Sequence, residues 1–378
     1  MTPVSSTAPH GQSPLRTVQV IGGGNAGSSA HVRSLAAGLV ARGVRVTVCA
    51  PVEADHAYDF TGVGADHVHV PRSSDPGSVA ALRAACTEAH LVHAHGLHAS
   101  FRAVLALRGR RTPLVVTWHN RAHAEGARAR FLRLLERRVV KAAAVVLGTT
   151  SDLVERARRA GARDARLAAT ALPGPDPQDG TDDPDRTPPK LRAELGATGR
   201  PLLLAVGSLE RHRGYEFLLD AAAAWRRLDP VPLVVVAGEG PLRAALQRRI
   251  EDEELPVRLI GLCDDVRRLL TAADLALVTS SWEPRCVLAQ EALLAGVPLV
   301  ATAVGGIPDL VGDAAELVPY GEPHTLAAAV VRLLADPGRR ELLRRKGAAQ
   351  AASWPTEDET VAQVLSVYDE LTEPGRPV

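Results

Sequence analysis

The segment VQVIGGGNAGSSAHVRSLAAGLVARGVRVTVC, residues 18–49, carries the pattern from which the fold is read. Residues 18–21 form a short apolar run of the kind a sheet buries on both faces, and residues 44–49 form another. Between them a glycine-rich loop opens onto a segment whose apolar positions, Val32, Leu35, Leu39 and Val40, recur at helical spacing. Strand, loop, helix and strand in that order predict a parallel βαβ unit with its glycines at the carboxyl end of the first strand.

Outward from this segment the alternation continues. Apolar runs at 91–94, 114–117 and 145–148 extend the first sheet, and runs at 202–206, 233–237, 257–260, 275–278 and 299–301 predict a second. Residues 172–190, LPGPDPQDGTDDPDRTPPK, are crowded with Pro, Gly and Asp and read as a linker. The fold class is therefore α/β, with two doubly wound Rossmann-like domains: an amino-terminal one over 17–171 and a carboxyl-terminal one over 191–355. Trp354 and Pro355 mark a further break, and 356–373 reads as a last amphipathic helix expected to pack back on the first domain. Residues 1–16 are rich in Ser, Pro and Thr without an apolar run, the composition of a disordered leader rather than a signal peptide. Two such sheets place ligands at the carboxyl ends of their strands, and the cleft between facing domains is the expected site.

Composition narrows the function classes. Lys and Arg number 44 against 43 Asp and Glu, a net charge of +1 over 378 residues, so no global field holds the chain on nucleic acid. The cysteines Cys49, Cys86, Cys263 and Cys286 are widely spaced with no Cys-x-x-Cys pair, and read as reduced thiols of a cytoplasmic protein. No apolar stretch reaches the roughly 18 residues a membrane span needs.

Gly22, Gly24 and Gly27 satisfy the spacing of the dinucleotide fingerprint. A nicotinamide site also wants an acid at the end of the second strand, where this chain has Cys49, Ala50 and Pro51, with Glu53 beyond the proline. The loop, with Gly27 and Ser28, is read instead as a contact to a diphosphate or sugar, using amides at a helix start. An NAD-dependent oxidoreductase remains an alternative.

The most informative stretch is SSWEPRCVLAQEALLAGVPLVATAVGGIPDLV, residues 280–311. Pro284 keeps Glu283 in the loop and suits the first position of a helix, so the helix is predicted to start directly behind it. The helix start at Arg285, Cys286, Val287 and Leu288 then offers unpaired amides to an anion such as a diphosphate. Glu291 lies two turns further along, placed to accept hydrogen bonds from ribose hydroxyls.

The run EPRCVLAQE resembles the E-x7-E element of the retaining glycosyltransferases of family 4, and AGVP and GGIP after it are similar to that family too. The likeness extends from about residue 17 to about residue 370. GSLERHRG, residues 207–214, resembles the family's G-R-L-x-x-x-K-G, with Arg213 at the Lys position and Ser208 where the family has Arg. Cys286 stands where the family prefers Gly, and Gly27 is followed by Ser28 where it has Gly-Gly. His119, in VVTWHN, resembles the family's active-site histidine.

The resemblance implies a GT-B fold and transfer of a hexose from a nucleotide-diphosphate sugar to an acceptor hydroxyl, with retention and without a metal. It implies Glu283 beside the transferred sugar, Glu291 on the ribose, Gly207, Ser208 and Arg213 at the diphosphate, and His119 as a further catalytic group. Arg211 is a candidate to replace the cation missing at Ser208. Base contacts are expected from Gly261, Leu262 and Val266. The acceptor, whether small molecule, lipid or glycan, is not specified. A non-catalytic sugar-nucleotide binding protein is the alternative that the substitutions at Ser208 and Cys286 keep open.

His93, His95 and His98 invite a metal reading, but two of them alternate along one strand and nearby acids are lacking, so no metal is expected. The Asp183-Pro184-Asp185 triplet lies in the linker and reads as solvated charge. Residues 127–141, ARARFLRLLERRVVK, form a basic amphipathic helix that either packs on the first sheet or lies against an anionic bilayer, with packing favoured.

Overall fold

The computed structural model describes residues 14–22, 26–121, 126–171, 187–263 and 265–373. The chain divides into two units, Met1–Leu172 with Pro355–Val378, and Pro173–Trp354.

The first unit runs β1 (Arg16–Val20), α1 (Ala26–Ala41), β2 (Arg45–Ala50), α2 (Val52–Tyr58), β3 (Asp66–His69), α3 (Pro76–Ala85), β4 (Leu91–His95), α4 (Leu97–Ala106), β5 (Leu114–Trp118), α5 (Gly126–Ala142), β6 (Val145–Gly148), α6 (Ser151–Ala160) and β7 (Ala165–Leu167). The second runs α7 (Pro188–Leu195), β8 (Leu202–Val206), the 3-10 turn Arg211–Arg213, α8 (Tyr215–Trp225), β9 (Leu233–Ala237), α9 (Arg243–Asp252), β10 (Val257–Gly261), α10 (Val266–Ala272), β11 (Leu275–Val278), α11 (Val287–Leu294), β12 (Leu299–Thr302), α12 (Ile307–Val311), β13 (Ala315–Val318), α13 (Pro323–Ala335) and α14 (Pro337–Ala352). The last helix, α15 (Glu357–Thr372), belongs to the first unit.

Both sheets are parallel and doubly wound, seven strands in the order β3-β2-β1-β4-β5-β6-β7 and six in the order β10-β9-β8-β11-β12-β13. The direction of winding reverses between β1 and β4 and between β8 and β11, the two points where such sheets open a crevice at their carboxyl ends. The central strands are buried along their length, which is why they read as apolar runs. β3, β7 and β13, which the apolar pattern missed, are all edge strands. Paired on one side only and partly exposed, they carry Asp, His, Arg and Glu among their residues and show no apolar run.

Two boundaries of the sequence reading move. Arg16, assigned to the leader, opens β1 opposite Arg45, while residues 1–13 of that leader lie outside the described residues. Residues 188–190, assigned to the linker, are the first turn of α7, because proline at the first helical positions gives up only amides that have no intrahelical partner. Thr187 is the cap of that helix, and the rest of the expected linker, 172–186, lies outside the described residues, the Asp183-Pro184-Asp185 triplet with it.

A capping box starts α15: Thr356 accepts from the Glu359 amide, and the Glu359 carboxylate accepts from the Thr356 amide at 2.8 Å. Its buried face, Val361, Val364, Val367 and Tyr368, joins the core made by α1 and β2. Gly38 of α1 lets this helix approach, since a Cβ there would stand 2.5 Å from Val361 Cγ2.

Candidate functional site

The carboxyl ends of β8 and β11 border a cavity of about 530 Å³ in the second unit, at the point where its sheet reverses winding. After β8 the chain makes the turn Arg211–Arg213 and enters α8 through Gly214 at φ 69°. A Cβ at Gly214 would lie 2.0 Å from the carbonyl oxygen of Thr279, so glycine alone lets this loop press against the end of β11. Thr279 Oγ1 donates to the Arg213 carbonyl at 3.0 Å and the Ser281 amide donates to the His212 carbonyl at 2.8 Å, fixing the two loops together.

That juncture brings Arg213 to Glu283. Arg213 Nη1 donates to Glu283 Oε1, and Ser280 Oγ donates to the same oxygen at 2.7 Å. Glu283 is only 5% exposed, so its charge is balanced by a directed pair rather than by water. Tyr215, whose hydroxyl donates to the Gly207 carbonyl at 3.0 Å, closes the same wall, and burial pushes its phenol pKa upward.

Glu291 lines the cavity as well, and its carboxylate is engaged by a residue that the sequence did not single out. Arg267 Nε donates to Glu291 Oε2 at 2.8 Å, with a longer contact from Nη2 to Oε1 at 3.4 Å. Arg267 supplies a cation at the mouth of α10 and leaves the carboxylate with further lone pairs for hydroxyl donors. Arg213, at the end of the 3-10 turn, and Glu291, on α11, thus line one cavity.

The start of α11 differs from its expected position. The helix begins at Val287 with Cys286 as its cap, rather than directly behind Pro284. The Gly306 amide donates to the Glu283 carbonyl at 2.7 Å, tying the segment to the following loop and delaying the helix. No side-chain cap hydrogen bond closes this helix start, although the Leu288 and Ala289 amides lie close enough to the Cys286 thiol to act on it. Arg285 also lines the cavity; its Nε is buried with no hydrogen-bond partner, and no ion pair of it is found among the described residues. Burial pulls its guanidinium pKa below the ordinary value, the mark of a cation short of counter-charge.

Of the remaining expected contacts, Gly207, Cys286, Val287, Leu288 and Val266 line the cavity. Ser208, Gly261 and Leu262 are not among its lining residues, and Leu262 is 78% exposed. Arg211 is exposed and likewise absent from the lining; the added cations are Arg285 and Arg267 instead. A positive residue close in sequence to Ser208 was the natural replacement, but the turn at Arg211–Arg213 directs only Arg213 to the cavity.

The first unit holds the other expected residues. Gly27 and Ser28 fall in the first turn of α1, and Gly24 lies outside the described residues. His119 directly follows β5, where it meets a row of polar side chains on one face of the sheet. Gln19, His93, His95 and Thr117 occupy adjacent register positions of β1, β4 and β5. His93 bridges the Tyr368 hydroxyl at 2.7 Å and Thr117 Oγ1 at 2.6 Å, while Gln19 Nε2 donates to Tyr368 at 2.9 Å. His95 reaches Gln19 Oε1 at 3.0 Å with Nε2 and His119 Nε2 at 3.2 Å with Nδ1. Burial holds the His93 imidazole neutral, its pKa lowered to about 3.

The basic segment 127–141 lies in α5, which buries Leu132, Leu135, Val139 and Val140 and leaves Phe131 and Leu134 58% and 50% exposed. The packed reading therefore accounts for four of the six large apolar residues of this segment. No helix among the described residues is long and apolar enough to cross a membrane.

Comparison with known proteins gives the class. The family model described as glycosyl transferases group 1 matches residues 188–350, and that of the glycosyl transferase 4-like domain matches residues 26–173. The chain belongs to the glycosyltransferase 4-like family, and its two sheets form the GT-B fold.

It is 37% identical over 181 residues to the D-inositol 3-phosphate glycosyltransferase of Salinispora tropica, covering 44% of this chain and 37% of that protein. It is 28% identical over 298 residues to the alpha-D-kanosaminyltransferase of Streptomyces kanamyceticus, covering 74% and 77%. The matches to the Salinispora tropica and Salinispora arenicola enzymes span less than half of those proteins, 37% and 45%. Among solved structures, Anabaena HepE in complex with UDP superposes with a TM-score of 0.76 at 20% identity, over 95% of this chain and 100% of that one.

Proposed function

We propose that this chain moves a hexose from a nucleotide-diphosphate sugar to an acceptor hydroxyl with retention of anomeric configuration and no metal in the transfer step. One observation carries the reading: a buried Glu283–Arg213 pair, an uncapped helix start and the cation Arg285 share a cavity at the winding reversal of the second sheet. A diphosphate is the ligand that such a combination of amides and guanidinium groups suits. The known complexes of HepE with UDP and with UDP-glucose support a donor of this kind.

In this reading Arg213, Arg285 and the amides behind Cys286 hold the diphosphate, and Glu291, steadied by Arg267, accepts from the ribose hydroxyls. Ser208 and Gly27 with Ser28 are proposed as further donor contacts and Gly261, Leu262 and Val266 as base contacts, although of these six only Val266 lines the cavity. Glu283 lies beside the transferred sugar, and His119 hydrogen-bonds it. The bond from the anomeric carbon to the phosphate oxygen breaks as the bond to the acceptor oxygen forms. The acceptor proton passes to the departing phosphate, and the guanidinium groups offset the charge that develops there.

Thermal unfolding with a panel of UDP, GDP and ADP sugars tests the donor class, because a ligand of the folded state raises the midpoint. The matching donor is expected to stabilise the chain and to be hydrolysed slowly without acceptor. Stabilisation with neither hydrolysis nor transfer would favour the binding-protein reading that Ser208 suggests, and stabilisation by none would overturn the donor site. The exposed Phe131 and Leu134 among the arginines of α5 support peripheral contact with an anionic membrane, which vesicle sedimentation with and without anionic lipid would detect.

A further inference from the structure

The three histidines His31, His95 and His119 come from separate parts of the first unit, and each offers a ring nitrogen within 4.8 Å of the other two. His95 ends β4, His119 follows β5, and His31 projects from α1, the helix that leaves the neighbouring β1. They meet where the first sheet reverses its winding, the position that in the second unit holds the donor cavity. His31 stands at 66° to His95 and at 62° to His119, while the His95 and His119 rings lie nearly parallel at 23°.

Spacing and tautomer both bear on what this cluster does. Two imidazole nitrogens on a tetrahedral zinc at ~2.05 Å stand ~3.3 Å apart. His95 Nδ1 and His119 Nε2 are separated by 3.2 Å. The Gln19 amide, with its NH2 turned to Tyr368, presents its oxygen to His95 Nε2 at 3.0 Å. That nitrogen therefore carries the proton, and Nδ1 keeps its lone pair toward the cluster. A ligating histidine held through its other nitrogen by a fixed oxygen is the arrangement that outer partners of metal sites provide.

We infer that the first unit binds one divalent d-block cation of the zinc type through one imidazole nitrogen each from His31, His95 and His119, with a fourth coordination position left to water or another oxygen. Three nitrogen ligands with one open position favour zinc, cobalt, nickel or copper over magnesium or calcium. None of the three histidines lines the cavity of the second unit, but His119 is shared with the proposed sugar contact, and metal binding is read without any transfer assay.

The experiment is titration of the untagged, metal-free full chain with Zn²⁺ in a calorimeter, and with Co²⁺ in an absorption spectrometer. One equivalent is expected to bind. The cobalt complex is expected to show visible bands of four-coordinate intensity and no thiolate charge-transfer band in the near ultraviolet. His31→Ala and His119→Ala are each expected to weaken binding by about 100-fold or more, and Gln19→Ala by about 10- to 100-fold through the lost orientation of His95. Both histidines are partly exposed, and thermal unfolding of each variant checks that it is folded. The cobalt spectrum of the unaltered chain gives an answer independent of any variant. Absence of saturable binding, a thiolate band, or undiminished affinity in the folded histidine variants would each overturn the assignment; the 3.2 Å contact would then be a hydrogen bond between two imidazoles.

Discussion

Arg213 and Glu283, 70 positions apart in the chain, form an ion pair on the wall of one cavity, and Ser280 completes the hold on the carboxylate at 2.7 Å. In the proposed function Glu283 stands beside the transferred sugar and Arg213 at the departing phosphate. Arg213→Ala is expected to lower kcat/KM for transfer by about 100- to 1,000-fold, the scale seen when one donor to a developing charge is removed. Arg213→Lys keeps the charge but not the fork, and is expected to recover part of the loss. Steady-state rates with saturating acceptor check both.

Glu291 and Arg267 separate ligand binding from ligand-site geometry. Glu291→Ala is expected to weaken nucleotide affinity by about 10- to 100-fold, the value of hydrogen bonds to a charged group. Arg267→Ala leaves the carboxylate in place but unsteadied, and its loss is expected to be smaller. Calorimetry with the bare nucleoside diphosphate reads both; equal affinities for Glu291→Ala and the unaltered chain would remove the ribose contact.

Gly305 leaves no room for a side chain. At φ 56° a Cβ there would stand 2.1 Å from the Glu283 carbonyl oxygen, on the loop whose next amide holds that carbonyl. Gly305→Ala is expected to cost about 1–3 kcal/mol of stability from backbone strain, and to lower transfer by displacing Glu283. Urea unfolding and activity, measured on the same preparation, should move together.

Three of the four cysteines are buried, and Cys263 is partly exposed. Burial pushes the thiol of Cys86 up to about 11 and that of Cys286 up to about 12, from an ordinary 9.0. With a disulfide reagent at pH 8 the native chain is expected to react at Cys263 alone, and the unfolded chain at every cysteine. A linked effect follows. Because these folded thiols hold protons that the unfolded chain releases, their stabilising contribution is complete below pH 9 and is lost as pH rises toward 11 and 12. The loss is at most about 1.4 kcal/mol per pH unit for each thiol. A Cys86→Ala, Cys286→Ala double variant should show a shallower fall in unfolding free energy above pH 9.

The sequence by itself determined the alternation of strand and helix, since central strands buried on both faces must be apolar throughout and helices between them must be amphipathic. It also singled out Glu283 and Glu291, because Pro284 and helical spacing fix local backbone geometry within a few residues, and Arg213 through the resemblance of residues 207–214 to a family motif. What it could not convey was partnership across the chain. The edge strands β3, β7 and β13 show no apolar run, Arg267 sits in no motif, and Arg285 is expected from its position to contribute its amide rather than its guanidinium. His31 lies far from His95 and His119 in sequence, and only the winding of the sheet brings their rings together. Local pattern encodes which face of an element is buried. Which buried or half-buried polar groups meet is set by strand order and register, and these exist only once the sheet has formed.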